Sequence, residues 1–144
     1  MNAAILAPVV ALIAWTLIMQ LWMYATRIPA MRRAGIDLKG RVGGRGSALD
    51  GVVEDQVQWK AHNYNHLMEQ PTLFYAVALS LALLGGGDIW INVWLAWGYV
   101  ALRILHSIVQ ATTNVIRWRF LAFSAASLCL LGLTVHAAAR VLHG

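Results

Sequence analysis

His62, Asn65, His66 and Glu69 recur at spacings of three and four in WKAHNYNHLMEQPTLFY, the stretch from Trp59 to Tyr75. On a helix that spacing sets two imidazoles, an amide and a carboxylate along one side of an otherwise apolar rod. Such a stripe suits the wall of a polar ligand pocket or, through imidazole and carboxylate, a transition-metal site. Arg103, His106 and Gln110, followed by Thr113 or Asn114, repeat the pattern further on, and Arg117 and Arg119 come next. A Glu69 and an Arg103 on neighbouring intramembrane helices neutralise each other, and leaving either alone costs several kcal/mol, so a pair is expected. The remaining polar groups exceed what one such lock needs. They converge toward one depth, as the lining of a ligand site does.

These stripes need carriers, and the composition says which kind. The 144 residues are 60% hydrophobic and 12% charged, the profile of an integral membrane protein. A chain of this length supplies about four spanning helices of roughly 20 residues each, in one domain. The first runs from Ala3 to Thr26, with Trp22 and Tyr24 as an interfacial collar before Arg27. No basic region precedes it and no small-x-small site follows, so it reads as a retained helix rather than a signal peptide. Residues 27–51 hold Pro29, six glycines and most of the basic charge, a connecting loop. Its GRVGGRG lacks the preceding strand and the terminal GK[ST] of a phosphate-cradling loop.

The second helix is expected over 52–84, started by Asp50 as cap and kinked at Pro71, whose missing N–H frees a carbonyl one turn back. Glu69 then lies about 13 Å along the axis from Lys60, at or inside the hydrocarbon boundary. Gly85 to Asp88 is a tight reversal into a third helix over 89–112, with Arg103 about 20 Å from Trp90 and deep in the membrane. A fourth helix over 117–141 carries Ser124, Ser127 and Gly132, small enough for close contact. Cys129 is the single cysteine, so no intrachain disulfide forms.

The net charge of +5 does not point to nucleic acid. Seven of the eleven Lys and Arg lie between Arg27 and Lys60, as in a membrane-proximal cytoplasmic loop. By the positive-inside rule the long loop is cytoplasmic and both termini lie outside.

The blocks KAHNYNHLMEQPTLFY and WGYVALRILHSIVQATTNVIRWRF, in this order and separation, resemble the MAPEG family, the membrane-associated proteins of eicosanoid and glutathione metabolism. The likeness covers essentially the whole chain and is nearest to bacterial members, which places it in a bacterial inner membrane. It implies a homotrimer of four-helix subunits, with glutathione as co-substrate bound between protomers and a lipophilic electrophile or peroxide as second substrate. Carried over by position, Glu69 matches the glutamate at the amino end of glutathione. Asn65 or His66 stands near the family's asparagine, and Arg103 and His106 match the third-helix arginine and histidine. Arg119, or Arg117 two residues earlier, matches the arginine that activates the thiolate. Gln110 stands where some members place a tyrosine, and His62 completes the ligand block. The enzymes that use glutathione carry more arginines ahead of the glutamate than Lys60, His62 and Asn63 provide here.

Two other readings use the same residues. His62, His66, Glu69 and His106 form a metal-ligand set on paper, although membrane diiron enzymes require more histidine clusters than five histidines allow. The second is a non-catalytic, trimeric lipid-binding or scaffold protein in which the stripes hold subunits together.

Overall fold

A computed structural model describes residues 4–143, all helical in their regular structure, with no strand among them. Ala3, the expected start of the first helix, lies outside the described residues. The helices are α1 (Leu6–Arg33), α2 (Asp55–Leu67), α3 (Pro71–Leu83), α4 (Trp90–Thr112) and α5 (Ile116–His143). A short 3₁₀ turn covers Gly46–Leu49 in the long loop. Because α2 and α3 follow one another along one path, the bundle has four rods. Its two ends are called here the loop end, at residues 34–54 and 113–115, and the turn end, at residues 84–89.

The first rod is longer than expected. It continues through Thr26 and past Pro29 to Arg33. Pro29 removes one backbone donor, but Ala30 packs with Val53 and Val57 into a small apolar cluster that holds the last turn. Arg32 and Arg33 at the carboxyl end also complement the helix dipole.

The second rod is broken rather than kinked. Met68 ends α2 and Gln70 precedes α3, with Pro71 at the first helical position, where its fixed φ suits a helix start. Gln70 holds the break in place. Its amide nitrogen donates to Ser127 Oγ at 2.8 Å and its oxygen accepts from the Tyr99 hydroxyl at 3.3 Å. Asp50 does not cap the start of α2: Glu54 holds the cap position without a side-chain bond, and Asp50 accepts from Gln58 Nε2 at 2.5 Å instead.

The core joins all four rods through Leu12, Met19, Phe74, Leu81, Tyr99 and Leu133, each fully buried. Phe74 stacks on Tyr99 with centroids 4.4 Å apart. In lipid, apolar burial drives little by itself, so contacts of this kind and close approach at small residues hold the rods. The most extensive interface, α4 on α5, has both: Gly132 lies against Leu95, and Gly98 faces the Cys129 sulfur.

By length and composition α1 and α5 are able to cross a membrane. The 13-residue α2 and α3 are too short to cross singly, and α4 spans 23 residues interrupted by Arg103, His106 and Gln110.

Candidate functional site at the loop end

The helix break decides where the first polar stripe goes. His66 is in the last turn of α2, still in helical phase, and turns inward half-buried. Glu69 follows the end of α2 and is exposed, as are Asn65 and His62. The stripe therefore divides into one inward imidazole and an outward face of amide, imidazole and carboxylate.

Arg103 is fully buried, and the expected pair with Glu69 does not form. Its Nη2 instead donates to both Nδ1 and the carbonyl oxygen of His66, each at 3.0 Å. A guanidinium only donates, so Nδ1 of His66 accepts and the ring carries its proton on Nε2. Arg103 also lies 5.6 Å from the Phe123 ring centroid. Its Nε and Nη1 are buried without a partner.

His106 stacks on His66 with centroids 4.8 Å apart and planes 11° from parallel. Its Nδ1 donates to the Arg119 carbonyl at 2.9 Å, and its Nε2 lies 3.0 Å from the Gln110 side-chain oxygen position. In a neutral ring Nε2 then accepts, which turns the Gln110 amide so that its NH₂ faces the imidazole. Gln110 is buried behind His106 and fixes the ring rather than lining the opening.

Arg119 is placed by the link between α4 and α5. Asn114 adopts φ +53°, the only positive φ outside glycine among the described residues, and its N–H bonds back to the Val109 carbonyl at 2.7 Å. This left-handed closure of α4 is one asparagine tolerates. The Asn114 side-chain oxygen then accepts from Arg119 Nη1 at 2.7 Å. Arg119 Nε stays buried and unpartnered. Arg117, two residues earlier, is exposed with its guanidinium over Trp118 at 5.8 Å.

His66, His106 and Arg119 meet in a cleft of about 360 Å³ walled by Ile116, Phe120 and Phe123. Cationic and imidazole donors line it together with aromatic faces, and no carboxylate does. Such a lining receives an anion or a polarisable, electron-rich atom next to an apolar group. His62 is held outside the cleft, its Nε2 3.2 Å from Asp50 Oδ1. Among the described residues no group of three His, Cys, Asp or Glu stands close enough to hold a metal.

Sequence reasoning did not single out Phe120, Phe123 or Ser107 as parts of this region, and it named Asn63 only as standing where relatives carry arginines. Ser107 Oγ accepts from Asn63 Nδ2 at 2.7 Å and from Trp15 Nε1 at 3.0 Å. That knot sets the register of α1, α2 and α4 one residue from His106. Phe123, four residues after Arg119, was open to the same helical spacing argument as the stripes.

An all-helical bundle with apolar outer faces and a cationic, aromatic cleft at one end has the architecture of a helical membrane protein. The chain belongs to the MAPEG family, whose profile matches residues 5–139. No curated protein and no solved structure matches it significantly.

Proposed function

We propose that the protein is a membrane-embedded glutathione-dependent transferase or peroxidase acting on a lipophilic electrophile, and that its cleft at the loop end receives the thiol. The observation that carries this reading is the convergence of Arg119, His106 and His66 on an aromatic-walled cleft while Glu69, Asn65 and His62 lie exposed on the adjoining helix. A carboxylate exposed at that depth requires a cation, and a neighbouring protomer or the ligand's ammonium group supplies one. Membership of the MAPEG family supports a trimer with its ligand between protomers.

In this site Glu69 takes the amino end of glutathione, and the donors of Asn65, His62 and His66 take its carboxylates. Arg119 stands by the sulfur, and Arg117 is the weaker candidate because its guanidinium rests on Trp118 outside the cleft. A guanidinium beside a thiol favours the charged form and lowers its pKa. The proton leaves to solvent, and the thiolate attacks the electrophilic carbon. A C–S bond forms as the leaving group departs with its electron pair. With a hydroperoxide, two glutathiones yield one disulfide, one alcohol and one water. Arg103 and Gln110 act from behind, holding the rings of His66 and His106, and His106, itself in the cleft wall, holds the Arg119 backbone. The resemblance to bacterial members supports a bacterial inner-membrane placement, and the arrangement of basic residues supports a cytoplasmic long loop with both termini outside.

A second reading, a non-catalytic lipid-binding scaffold, is favoured by a different feature. Leu102, Leu105, Val109, Trp118, Leu121 and Ala122 line an apolar groove of about 320 Å³ between α4 and α5. Thermal unfolding of detergent-purified protein with millimolar glutathione separates the two. A ligand at 100 times its dissociation constant stabilises by about 2.7 kcal/mol. A rise that disappears in Glu69→Gln and Arg119→Ala supports the enzyme. No rise in a cooperatively melting protein removes the glutathione site and leaves the scaffold.

A further inference from the structure

The turn end holds the larger cavity, a groove of about 460 Å³ between the start of α4 and the end of α5. Ile89 and Ile91 form one side, and His136, Arg140 and His143 line the other, with Asn92 between them. The three basic side chains are unequally engaged. Arg140 is exposed, and its single bond is a long one, 3.4 Å to the Leu84 carbonyl. His143 is exposed and has no hydrogen-bond partner among the described residues. His136 donates from Nδ1 to Asn92 Oδ1 at 2.5 Å, because Asn92 Nδ2 is already committed to the Gly86 carbonyl at 3.0 Å. That bond fixes the tautomer and leaves Nε2 as the free nitrogen of the ring.

Among the described residues the one acidic side chain at this end is Asp88, whose Oδ1 accepts from the Ala4 N–H at 2.7 Å. No ion pair neutralises Arg140 among the described residues. The carbonyls ending α5 favour basic residues in its last turn and account for Arg140 and His143 being there. They do not account for the apolar wall opposite. Trp90 and Trp94 are largely exposed beside that wall, as aromatic residues are at headgroup depth.

We propose that this groove binds the phosphate of an anionic phospholipid, with Arg140 as the main contact, His143 beside it, and the acyl chain along Ile89 and Ile91. The site lies at the opposite end of the bundle from the thiol cleft and does not depend on that cleft being catalytic. A guanidinium matches phosphate geometry, and the adjoining apolar wall selects a lipid over a free anion.

The test is a thermal-shift titration of the full-length protein in zwitterionic detergent with phosphatidylglycerol, phosphatidylcholine, oleate or inorganic phosphate. Arg140→Gln and His143→Gln alter exposed side chains and leave the fold intact, and Arg41→Gln in the long loop is the control for general charge. Phosphatidylglycerol is expected to raise the melting temperature where phosphatidylcholine does not. Its titration midpoint should weaken about fivefold in Arg140→Gln, as expected for one basic residue at a lipid surface, and stay unchanged in Arg41→Gln. Equal weakening in Arg41→Gln overturns the site in favour of diffuse surface charge. An Arg140-dependent shift with inorganic phosphate alone makes it a free-anion site. An equal response to oleate makes it a fatty-acid site, and both of these results overturn the phospholipid proposal.

Discussion

The two ends of the bundle are built from similar residues and treat them oppositely. Among the described residues every strongly buried polar side chain at the turn end is satisfied: Asn92 donates to Gly86 and accepts from His136, and Ile5 and Ala4 close onto the turn through Gly87 and Asp88. Among the described residues the buried side-chain polar atoms that lack a partner all lie toward the loop end, on Arg27, Gln58, Asn63, Arg103 and Arg119. Native interiors rarely leave such atoms unmet, and strain, a functional role or a bound water or ion accounts for those that are. The turn end thus reads as a clasp with an open groove at its rim. The loop end holds unmet N–H donors on Arg27, Arg103 and Arg119 and unmet amide oxygens on Gln58 and Asn63.

The comparison is tested most severely at Arg119. Its replacement by Ala removes a cationic donor from the cleft, and the predicted loss in glutathione conjugation rate is about 100-fold, typical for one preorganised donor at a reacting atom. The melting temperature should barely move, since the side chain makes a single bond, to Asn114. An equal loss in Arg117→Ala erases the distinction between a cleft residue and one resting on Trp118.

Asn92→Leu is the counterpart at the turn end. It strips the Gly86 carbonyl and His136 of their partner in a buried position, at a cost of about 2 kcal/mol. Conjugation by the protein that remains folded should be unchanged. A fall in rate without a fall in stability means that the two ends are coupled and the contrast between them is wrong.

Arg103→Met separates them more finely. Replacing a buried, half-satisfied cation by an apolar chain of similar length is often neutral for stability, so a change within about 1 kcal/mol is expected despite the bonds lost to His66. Stabilisation by glutathione should nevertheless fall, because His66 loses the donor that fixes its tautomer. A large loss of stability with ligand response intact makes Arg103 a structural lock.

How far the chain could be read beforehand follows the same division. The stripes at His62, Asn65, His66 and at Arg103, His106, Gln110 were legible because the helical period survives any packing arrangement. The partner of Arg103 was not, because the choice between His66 and Glu69 depends on where α2 stops. Glu69 lies beyond Met68, out of helical phase, and a sequence with Pro71 is equally compatible with a kink or a break. Phe120 and Phe123 were hidden for another reason: on a membrane helix both the lipid-facing and the protein-facing sides are apolar, so hydrophobic pattern does not distinguish a cleft wall from a lipid contact. Asn63 and Ser107 are isolated polar residues whose pairing exists only across helices.

The smallest effect is expected at Asp50, on the rim of the loop end. Its carboxylate accepts from Gln58 and pairs with His62, and Gln58 also reaches the Gly46 carbonyl, which Arg27 shares, so Asp50 ties the long loop to α1 and α2. The Gln58 hydrogen bond, more than the nearby charges of His62 and Arg27, holds the Asp50 carboxyl below its ordinary value of 3.8. A carboxyl lowered in the folded state binds its proton later than in the unfolded chain. Its stabilising contribution is therefore complete above pH 3.8 and fades as pH falls through the lowered folded value. Asp50→Asn should leave melting near neutral pH almost unchanged, since an exposed pair contributes little. It should flatten the acid limb of the melting profile below about pH 4. His62→Gln keeps the Gln58 bond and removes only the smaller influence, so its acid limb should stay close to that of the unaltered protein. If His62→Gln flattens the limb as much as Asp50→Asn, the ion pair and not the amide carries the loop, and His62 is then a residue of the loop anchor more than of the ligand face.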